Sequence, residues 1–573
     1  SDIPSPVTGV IKKIMMATGD VIHVGQDIFV IDDGKVHNNA PAPVQKEEAA
    51  SVVGEVTVNN DLIDFSSLGA VAPSVSNSTS TPQAKEEKVS EQQFEEGKVY
   101  TGAIEKEYDV IVVGSGPGGY LAAEEAGKSG LKTLIVEKWA WGGVCLNTGC
   151  IPTKALLKST EMIHEMKHME TYGLVGNFDK LKLDNLKTWK NMHTRKEGVV
   201  NQVASSVKML MKSSKCDILE AEAKFVGARE IEVEGKVYRA KNMIIATGSR
   251  PKKLDMIPGF KEGYESGKIV TSREAINYKD HLPKSLAIIG GGVIGVEFAQ
   301  VFALSGTQVT VFQNTERILP MADAEVSKEA AKALEKMGVK FVYNAQTSKF
   351  EKDTLFYTVD GKEESLKVEL VLTATGRAAN VEGLEEVGVK VEPRVGVKVD
   401  EHQRTNVRNV YAIGDVTGQN MLAHVAYAHA MVAVNDILGN QNKNKYHPKG
   451  VPGCIYTSPE IAFIGLTEAE AKAQGKDVFS SKYLFSYLGK AIATTHTEGF
   501  VKLVVDKEFG EILGASIVGA NATDYIAEIG LAMEQEVTVH ELAHTIHPHP
   551  TYNEILWEAA RSAALKLDMA NKK

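Results

Sequence analysis

Four cysteines in 573 residues are too few to staple a fold, so a disulfide-built scaffold is excluded. Basic charge is in the minority as well. The 64 Lys and Arg face 74 Asp and Glu, a formal net charge of −10, which argues against general affinity for nucleic acid, because phosphate binding wants a basic face. No apolar run is long enough to span a bilayer, so no membrane partner is expected. The start, SDIPSPVTGV, has no basic segment followed by an apolar stretch, and no secretory signal is read there. Few cysteines and no signal predict a reducing compartment, a bacterial cytoplasm or, in a processed form, a mitochondrial matrix. What remains is an ordinary globular composition, 43% hydrophobic and 24% charged, and a length that calls for several domains.

The first of these, residues 1–72, reads as a small all-β module. Two half-repeats align, GVIKKIMMATGDVIHVGQDIFVI and GEVTVNNDLIDFSSLGAV, each alternating apolar and polar side chains as half-buried strands do. Asp33-Gly34 is a two-residue hairpin signal that places Lys35 at or beside the turn. The module resembles the lipoyl/biotinyl carrier fold, a flattened barrel whose modified lysine sits on a β-turn, and Pro41 lies six positions after Lys35, as in that family. Two departures stand out. Gly34 intervenes where lipoyl domains carry Asp, and Gly34 and Val36 replace the flanking Met of biotinyl domains. The resemblance implies lipoate on Lys35, with biotin or an unmodified lysine as the alternatives. Residues 73–103 then lose nearly all large apolar side chains and read as a flexible linker, with a reach on the order of 30 Å.

From Tyr108 the pattern becomes strand, glycine loop, helix, strand, and it does so twice. In YDVIVVGSGPGGYLAAEEAG, Gly114, Gly116 and Gly119 form G-x-G-x-x-G, and Glu137 closes the next strand, where an acid binds a ribose hydroxyl. In SLAIIGGGVIGVEFAQ the same places are held by Gly290, Gly292 and Gly295, with Gln313 at the strand end. Two such units imply two dinucleotides. Gln313 bonds a ribose hydroxyl without repelling a 2′-phosphate, so a preference for NAD is expected but softened.

Cys145 and Cys150 follow the first loop in GGVCLNTGCIPTK. Two thiols that close, downstream of a nucleotide loop, point to redox exchange, and a helix starting after Cys150 would lower its pKa. A stabilising disulfide or two buried thiols is the alternative. Cys216 and Cys454 have no partner in sequence and are expected in cores. Near the C-terminus, HELAH (His540–His544) formally matches the H-E-x-x-H zinc pattern, but no further zinc context follows and no metal is expected.

GGVCLNTGCIPTK, IIATGSRP, GGGVIGVEFA, ATGRAAN, YAIGDVTG and HPHPTYNE occur in that order. Together they resemble the flavoprotein disulfide reductases, most closely their dihydrolipoamide dehydrogenase branch. The resemblance implies FAD in the first site and NAD in the second. It implies Cys145 as the outer, exchanging thiol and Cys150 as the inner one beside the flavin. Lys154 and Glu297 become the pair near the flavin ring, and Asp415 a contact to the flavin's ribityl–phosphate region. Gly248 and Gly376 end the two ATG segments where the chain crosses between nucleotide domains. His549 and Glu554 match the His–Glu dyad, with His547 as a rival base, and the dyad serves the other subunit of a homodimer.

The organisation expected is thus multidomain. An all-β carrier module (1–72) and linker (73–103) precede two Rossmann-type α/β domains, FAD-binding (104–250), NAD-binding (251–376) and FAD-binding/central (377–448). An α+β interface domain (449–573) follows. The implied activity is oxidation of dihydrolipoyl groups carried on the acyltransferase of a 2-oxo acid dehydrogenase complex. Other pyridine-nucleotide disulfide reductases and a non-catalytic lipoyl carrier are the alternatives. Mercuric reductase would add cysteine pairs this chain lacks, and glutathione reductase would want basic residues where Gln313 and Asn314 stand.

Overall fold

The computed structural model describes residues 10–14, 29–32, 94–178 and 183–571. Contacts divide the chain into two units, Ser1–Val89 and Ser90–Lys573. In the first, Val10–Ile14 pairs antiparallel with Phe29–Asp32, Ile11 opposite Ile31 and Ile14 opposite Phe29. These two strands belong to the first half-repeat. The Asp33-Gly34 turn, Lys35, the second half-repeat and residues 73–93 of the linker lie outside the described residues.

The second unit is built on three main sheets. The first has a parallel core in the order Asp217–Leu219, Thr133–Val136, Lys106–Val113, Lys236–Ile245. Strand Lys106–Val113 carries Val110, Ile111 and Val112 fully buried, an unbroken apolar run suited to a strand covered on both faces. One face packs the alanines of helix Pro117–Lys128 and then helix Ala423–Ile437. Strand Lys236–Ile245 does two jobs. Its first half pairs antiparallel with Glu230–Val233, and its last three residues pair parallel with Val410–Ala412. Residues from beyond position 400 therefore return to complete the first sheet.

The second sheet is wholly parallel, Ile269–Thr271, Leu370–Thr373, Ser285–Ile289, Gln308–Phe312, Lys340–Val342. A three-stranded meander, Gln346–Glu351, Thr354–Val359, Lys362–Lys367, adjoins it in sequence. The two passages between these sheets lie side by side, with Ser249–Pro251 antiparallel to Arg377–Ala379. The third sheet is antiparallel, Gly453–Ile455, Ile461–Gly465, Ile512–Val518, Phe500–Asp506, Val478–Leu484. Helix Glu554–Asn571 lies on it through Ala559, Ala560 and Ala563, all fully buried, whose small side chains allow close approach. Cys216 is buried, as expected of a core thiol. Cys454 is only half-buried, because it sits on the outermost strand of the third sheet. Among the described residues no helix is long and apolar enough to cross a membrane.

Candidate active site

Both glycine loops follow one physical plan. Gly114 turns with φ +107° and Gly290 with φ +109°, conformations that L side chains rarely adopt. A Cβ on Gly119 would lie 1.9 Å from the Gly114 carbonyl oxygen, and one on Gly295 the same distance from that of Gly290. The third glycine of each loop thus lets its helix seat against the turn. The middle glycines differ, because a Cβ on Gly116 or Gly292 would meet nothing within 4 Å. Helices Pro117–Lys128 and Val293–Leu304 begin there with no acid in the first turn, so their free N–H groups face a gap suited to an anion.

The strand ends tie these loops down. The Glu137 carboxylate accepts from Ser115 N at 2.8 Å, Ser115 Oγ at 2.7 Å, Trp139 N at 2.7 Å and Ala140 N at 3.3 Å. Gln313 does the corresponding work in the second unit, Oε1 accepting from Gly291 N at 2.8 Å and Nε2 donating to Thr315 Oγ1 at 2.6 Å.

The cysteine segment is clamped onto the first loop. A Cβ on Gly143 would lie 2.9 Å from Gly116 Cα, and Gly142 N donates to Ser115 Oγ at 3.2 Å. Two helices meet at Gly149, Gly143–Thr148 carrying Cys145 and Cys150–Met166 opening on Cys150 itself. The chain curves back, and the Cys145 thiol donates to the Cys150 sulfur. That bond, with burial added, holds Cys145 far above the ordinary thiol range. The same bond outweighs burial at Cys150 and, with the Lys154 charge, brings that thiol down to about 7. Of the two thiols, Cys150, at the helix N-terminus and beside Lys154, is therefore the one that ionises more readily.

One turn beyond Cys150, Lys154 Nζ lies 3.0 and 3.2 Å from the two carboxylate oxygens of Glu297, and 4.2 Å from the centroid of the Tyr456 ring. Glu297 is buried on helix Val293–Leu304 and also accepts from Tyr456 N at 3.0 Å. Gln300, on the same helix, accepts from Ser458 N at 2.8 Å. One ion pair thus joins both nucleotide units and the C-terminal domain. Asp415 accepts from Ser249 Oγ, and Arg377 grips the same serine, Nε to Oγ at 2.7 Å and Nη2 to the carbonyl at 2.8 Å. Arg250, Arg273 and Arg377 line a small cavity with Val144 and Thr148 of the cysteine segment.

His549 Nδ1 lies 2.9 Å from Glu554 Oε1, and Glu554 Oε2 accepts from Thr551 N at 2.7 Å. Burial raises the Glu554 carboxyl, but the Thr551 N–H and the His549 ring outweigh it, and it titrates below the ordinary range. The His549 side chain is 76% exposed, and among the described residues no hydrogen bond or ion pair joins it to either cysteine. His547 is 4% exposed and locked, Nε2 2.7 Å from Glu528 Oε1 and Nδ1 3.0 Å from the Thr545 carbonyl. In HELAH, Glu541 accepts from Thr538 N in a capping box, and His544 Nδ1 faces the His540 carbonyl at 2.9 Å.

The comparisons with known proteins agree with this layout. The family model for pyridine nucleotide-disulphide oxidoreductases matches residues 108–430, and the model for their dimerisation domain matches residues 451–560. The chain belongs to the pyridine nucleotide-disulphide oxidoreductase family. Its relatives include the dihydrolipoyl dehydrogenase of Mycoplasma genitalium, 42% identical over 458 residues, 80% of this chain and 98% of the relative. That of Rhizobium etli is 42% identical over 483 residues, with the same shares covered. The solved structure of the HOCl-induced flavoprotein disulfide reductase RclA from Escherichia coli matches with a TM-score of 0.69 at 25% identity, over 79% of this chain and 99% of that one. Residues before 108 lie outside both family models.

As a flavoprotein disulfide oxidoreductase of this family, the chain uses FAD and NAD(H), and the residues present fit both. The open Cβ position at Gly116 leaves room for a pyrophosphate at a helix N-terminus. At the second unit a cavity of about 560 Å³ is lined by Gly290, Gly292, Gln313, Thr375 and Gly376 among others, large enough for much of a dinucleotide. The C-terminal domain is the family's dimerisation domain, consistent with a homodimer.

Sequence reasoning missed several participants. Ser115 and Gly143 couple the loop to the cysteines, and Arg377 sat unread in ATGRAAN. Tyr456 carried no signal in sequence. Tyr120 and Tyr427, whose hydroxyls touch near Cys145, come from helices 307 positions apart.

Proposed function

We propose that the chain oxidises protein-bound dihydrolipoyl groups to lipoyl and passes the electrons to NAD+. The observation that carries this reading is the Cys145–Cys150 pair at the start of a helix, one turn from the Lys154–Glu297 ion pair, in a chain whose relatives are dihydrolipoyl dehydrogenases. We read 104–250, 251–376, 377–448 and 449–573 as the FAD-binding, NAD-binding, central and interface domains, behind a carrier module (1–72) and linker (73–103).

In this scheme the oxidised enzyme holds a Cys145–Cys150 disulfide. His549, acting across the homodimer, takes a proton from the first substrate thiol. The resulting thiolate attacks Cys145 Sγ, the Cys145–Cys150 bond breaks, and Cys150 leaves as a thiolate. The second substrate sulfur attacks the first, closing the lipoyl disulfide and releasing Cys145, which takes up the second proton. The enzyme then holds one proton on Cys145, one on His549 and a thiolate at Cys150. Glu554 stabilises the His549 cation and fixes its tautomer. Bound FAD supplies the two-electron relay from the cysteine pair to nicotinamide. Gly114, Gly116, Gly119, Glu137, Gly248 and Asp415 would hold it, with Lys154 and Glu297 near its ring. A ribose hydroxyl reaching Glu137 would take the place of its long bond to Ala140. Gly290, Gly292, Gly295, Gln313 and Gly376 would hold the nicotinamide nucleotide.

The wider role proposed is that of the dehydrogenase component of a 2-oxo acid dehydrogenase complex, with the lipoyl domains of the acyltransferase as partners. Lipoate on Lys35 would be a substrate or transfer arm in cis, at raised effective concentration. Intact-mass analysis of an N-terminal fragment distinguishes lipoyl, biotin and no adduct there.

The central test is dihydrolipoamide-dependent reduction of NAD+. Cys150→Ser is expected to abolish it while FAD stays bound, and His549→Gln to lower it about 10²–10⁴-fold. Full turnover in Cys150→Ser overturns the dithiol scheme.

A further inference from the structure

The cavity over the second glycine loop has an unusual lining for a site that takes a charged dinucleotide. Among the residues that line it, none is Asp, Glu, Lys or Arg. The strand-end position, where an acid would select an unphosphorylated ribose, holds Gln313, and Asn314, Gln346 and Thr347 continue the wall as neutral polar groups.

The bonding of Gln313 decides what it can offer. Gly291 N–H can only donate, so it fixes the carbonyl end of the amide toward the loop at 2.8 Å. The amide nitrogen then points to Thr315 Oγ1 at 2.6 Å. Thr315 Oγ1 in turn donates to the Arg317 carbonyl at 2.9 Å, which closes the turn. An amide nitrogen has two hydrogens, and Thr315 takes one. The other is a neutral donor, which serves a ribose hydroxyl or a phosphate oxygen equally well.

The contrast with the first unit is internal to the molecule. Glu137 ties down its loop by the same contact, accepting from Ser115 N, but does so with a carboxylate. The loop-tying role therefore does not require the amide. Using Gln at the second site keeps the tie and removes the negative charge.

Among the described residues that line the cavity, no cation replaces that charge. Arg317 follows closely in sequence, but its guanidinium donates to the Ala322 and Pro320 carbonyls at 3.1 Å each. Glu316, between Thr315 and Arg317, is exposed and outside the cavity lining. The pocket thus neither repels nor clamps a 2′-phosphate.

We propose that this site accepts a 2′-phosphorylated pyridine dinucleotide alongside NAD(H), with Gln313 as the residue that sets the tolerance. The proposal rests on the reading of the Gly290 unit as the nicotinamide nucleotide site. A carboxylate at position 313 would face the 2′-phosphate within a few ångströms and discriminate by about 100-fold or more.

The test titrates the full-length holoenzyme, first fully reduced with dithionite under anaerobic conditions so that neither nucleotide can transfer a hydride to it, with NADH and with NADPH by calorimetry. The expected result is two dissociation constants within about tenfold of each other. Gln313→Glu keeps the acceptor for Gly291 N, and is expected to weaken NADPH by about 100-fold relative to NADH. Should that variant fold poorly, Asn314→Arg adds a guanidinium at the same wall, and is expected to tighten NADPH about tenfold relative to NADH. Wild-type preference for NADH above about 100-fold overturns the proposal while leaving the site reading intact. Binding of neither nucleotide overturns the site reading, and the proposal with it.

Discussion

The lowered pKa of Cys150 has a named cause, and removing that cause should move it by a calculable amount. In the reduced chain the Cys145 thiol donates to the Cys150 sulfur, and this bond is the largest influence on either group. A hydrogen bond to a charged acceptor is worth about 1.5–3 kcal/mol, and one pH unit corresponds to about 1.4 kcal/mol, so its loss should raise the Cys150 midpoint by about 1–2 pH units. Cys145→Ala removes the donor. Cys145→Ser keeps an O–H in its place. With the wild-type midpoint at about 7, Cys145→Ala should ionise near the ordinary thiol value of 9.0, and Cys145→Ser should stay within about one pH unit of the wild type. The sign is direct: below its midpoint Cys150 is protonated and unreactive, above it a thiolate. The assay is the pH profile of iodoacetamide alkylation in the reduced enzyme, followed by mass spectrometry of the Cys150 peptide, which separates it from Cys216 and Cys454. A Cys145→Ala profile that still turns over near 7 refutes the hydrogen bond as the cause and leaves Lys154 and the helix N-terminus to explain the shift.

Two further outcomes follow from packing and burial. Gly119→Ala places a Cβ against backbone oxygen and should cost about 3 kcal/mol in urea unfolding, whereas Gly116→Ala should leave the apo form within about 0.5 kcal/mol and lower the flavin recovered per chain. His193 is fully buried against the edge of Trp189, and among the described residues neither ring nitrogen has a partner. Burial, helped by the Lys196 and Lys279 charges against Glu197, lowers it to about 4 from 6.5. Its contribution to stability is present above pH 6.5 and lost as pH falls toward 4, a ceiling of about 3 kcal/mol. His193→Phe should flatten that part of the urea-midpoint profile between pH 7 and pH 5, and an unchanged profile would show that another group carries it.

The dinucleotide loops were legible from sequence because their determinants are local. Gly114, Gly116 and Gly119 lie within one strand–turn–helix, and the reasons for Gly114 and Gly119 are met by an atom of that same turn or of the strand beside it. The Cys145–Cys150 pair was legible for the same cause, since four intervening residues and one reversal at Gly149 suffice to bring the sulfurs together. The motif order pointed to Lys154 and Glu297 only through resemblance to a family, because no local pattern links positions 143 apart. Nothing in the sequence marked Tyr456, whose ring and backbone N–H complete that junction.

Sequence alone determined which residue types were available, namely two thiols, two histidines in HPHP and two strand-end polar groups. Tertiary structure decided among them. It buried His547 against Glu528 and left His549 exposed on Glu554. It turned the carbonyl of Gln313 toward Gly291. It made Cys150 the more acidic of the two thiols. The physical reason is common to all three: burial, bond direction and local field depend on neighbours that the fold brings from distant parts of the chain, and these properties turn a residue type into a chemical role.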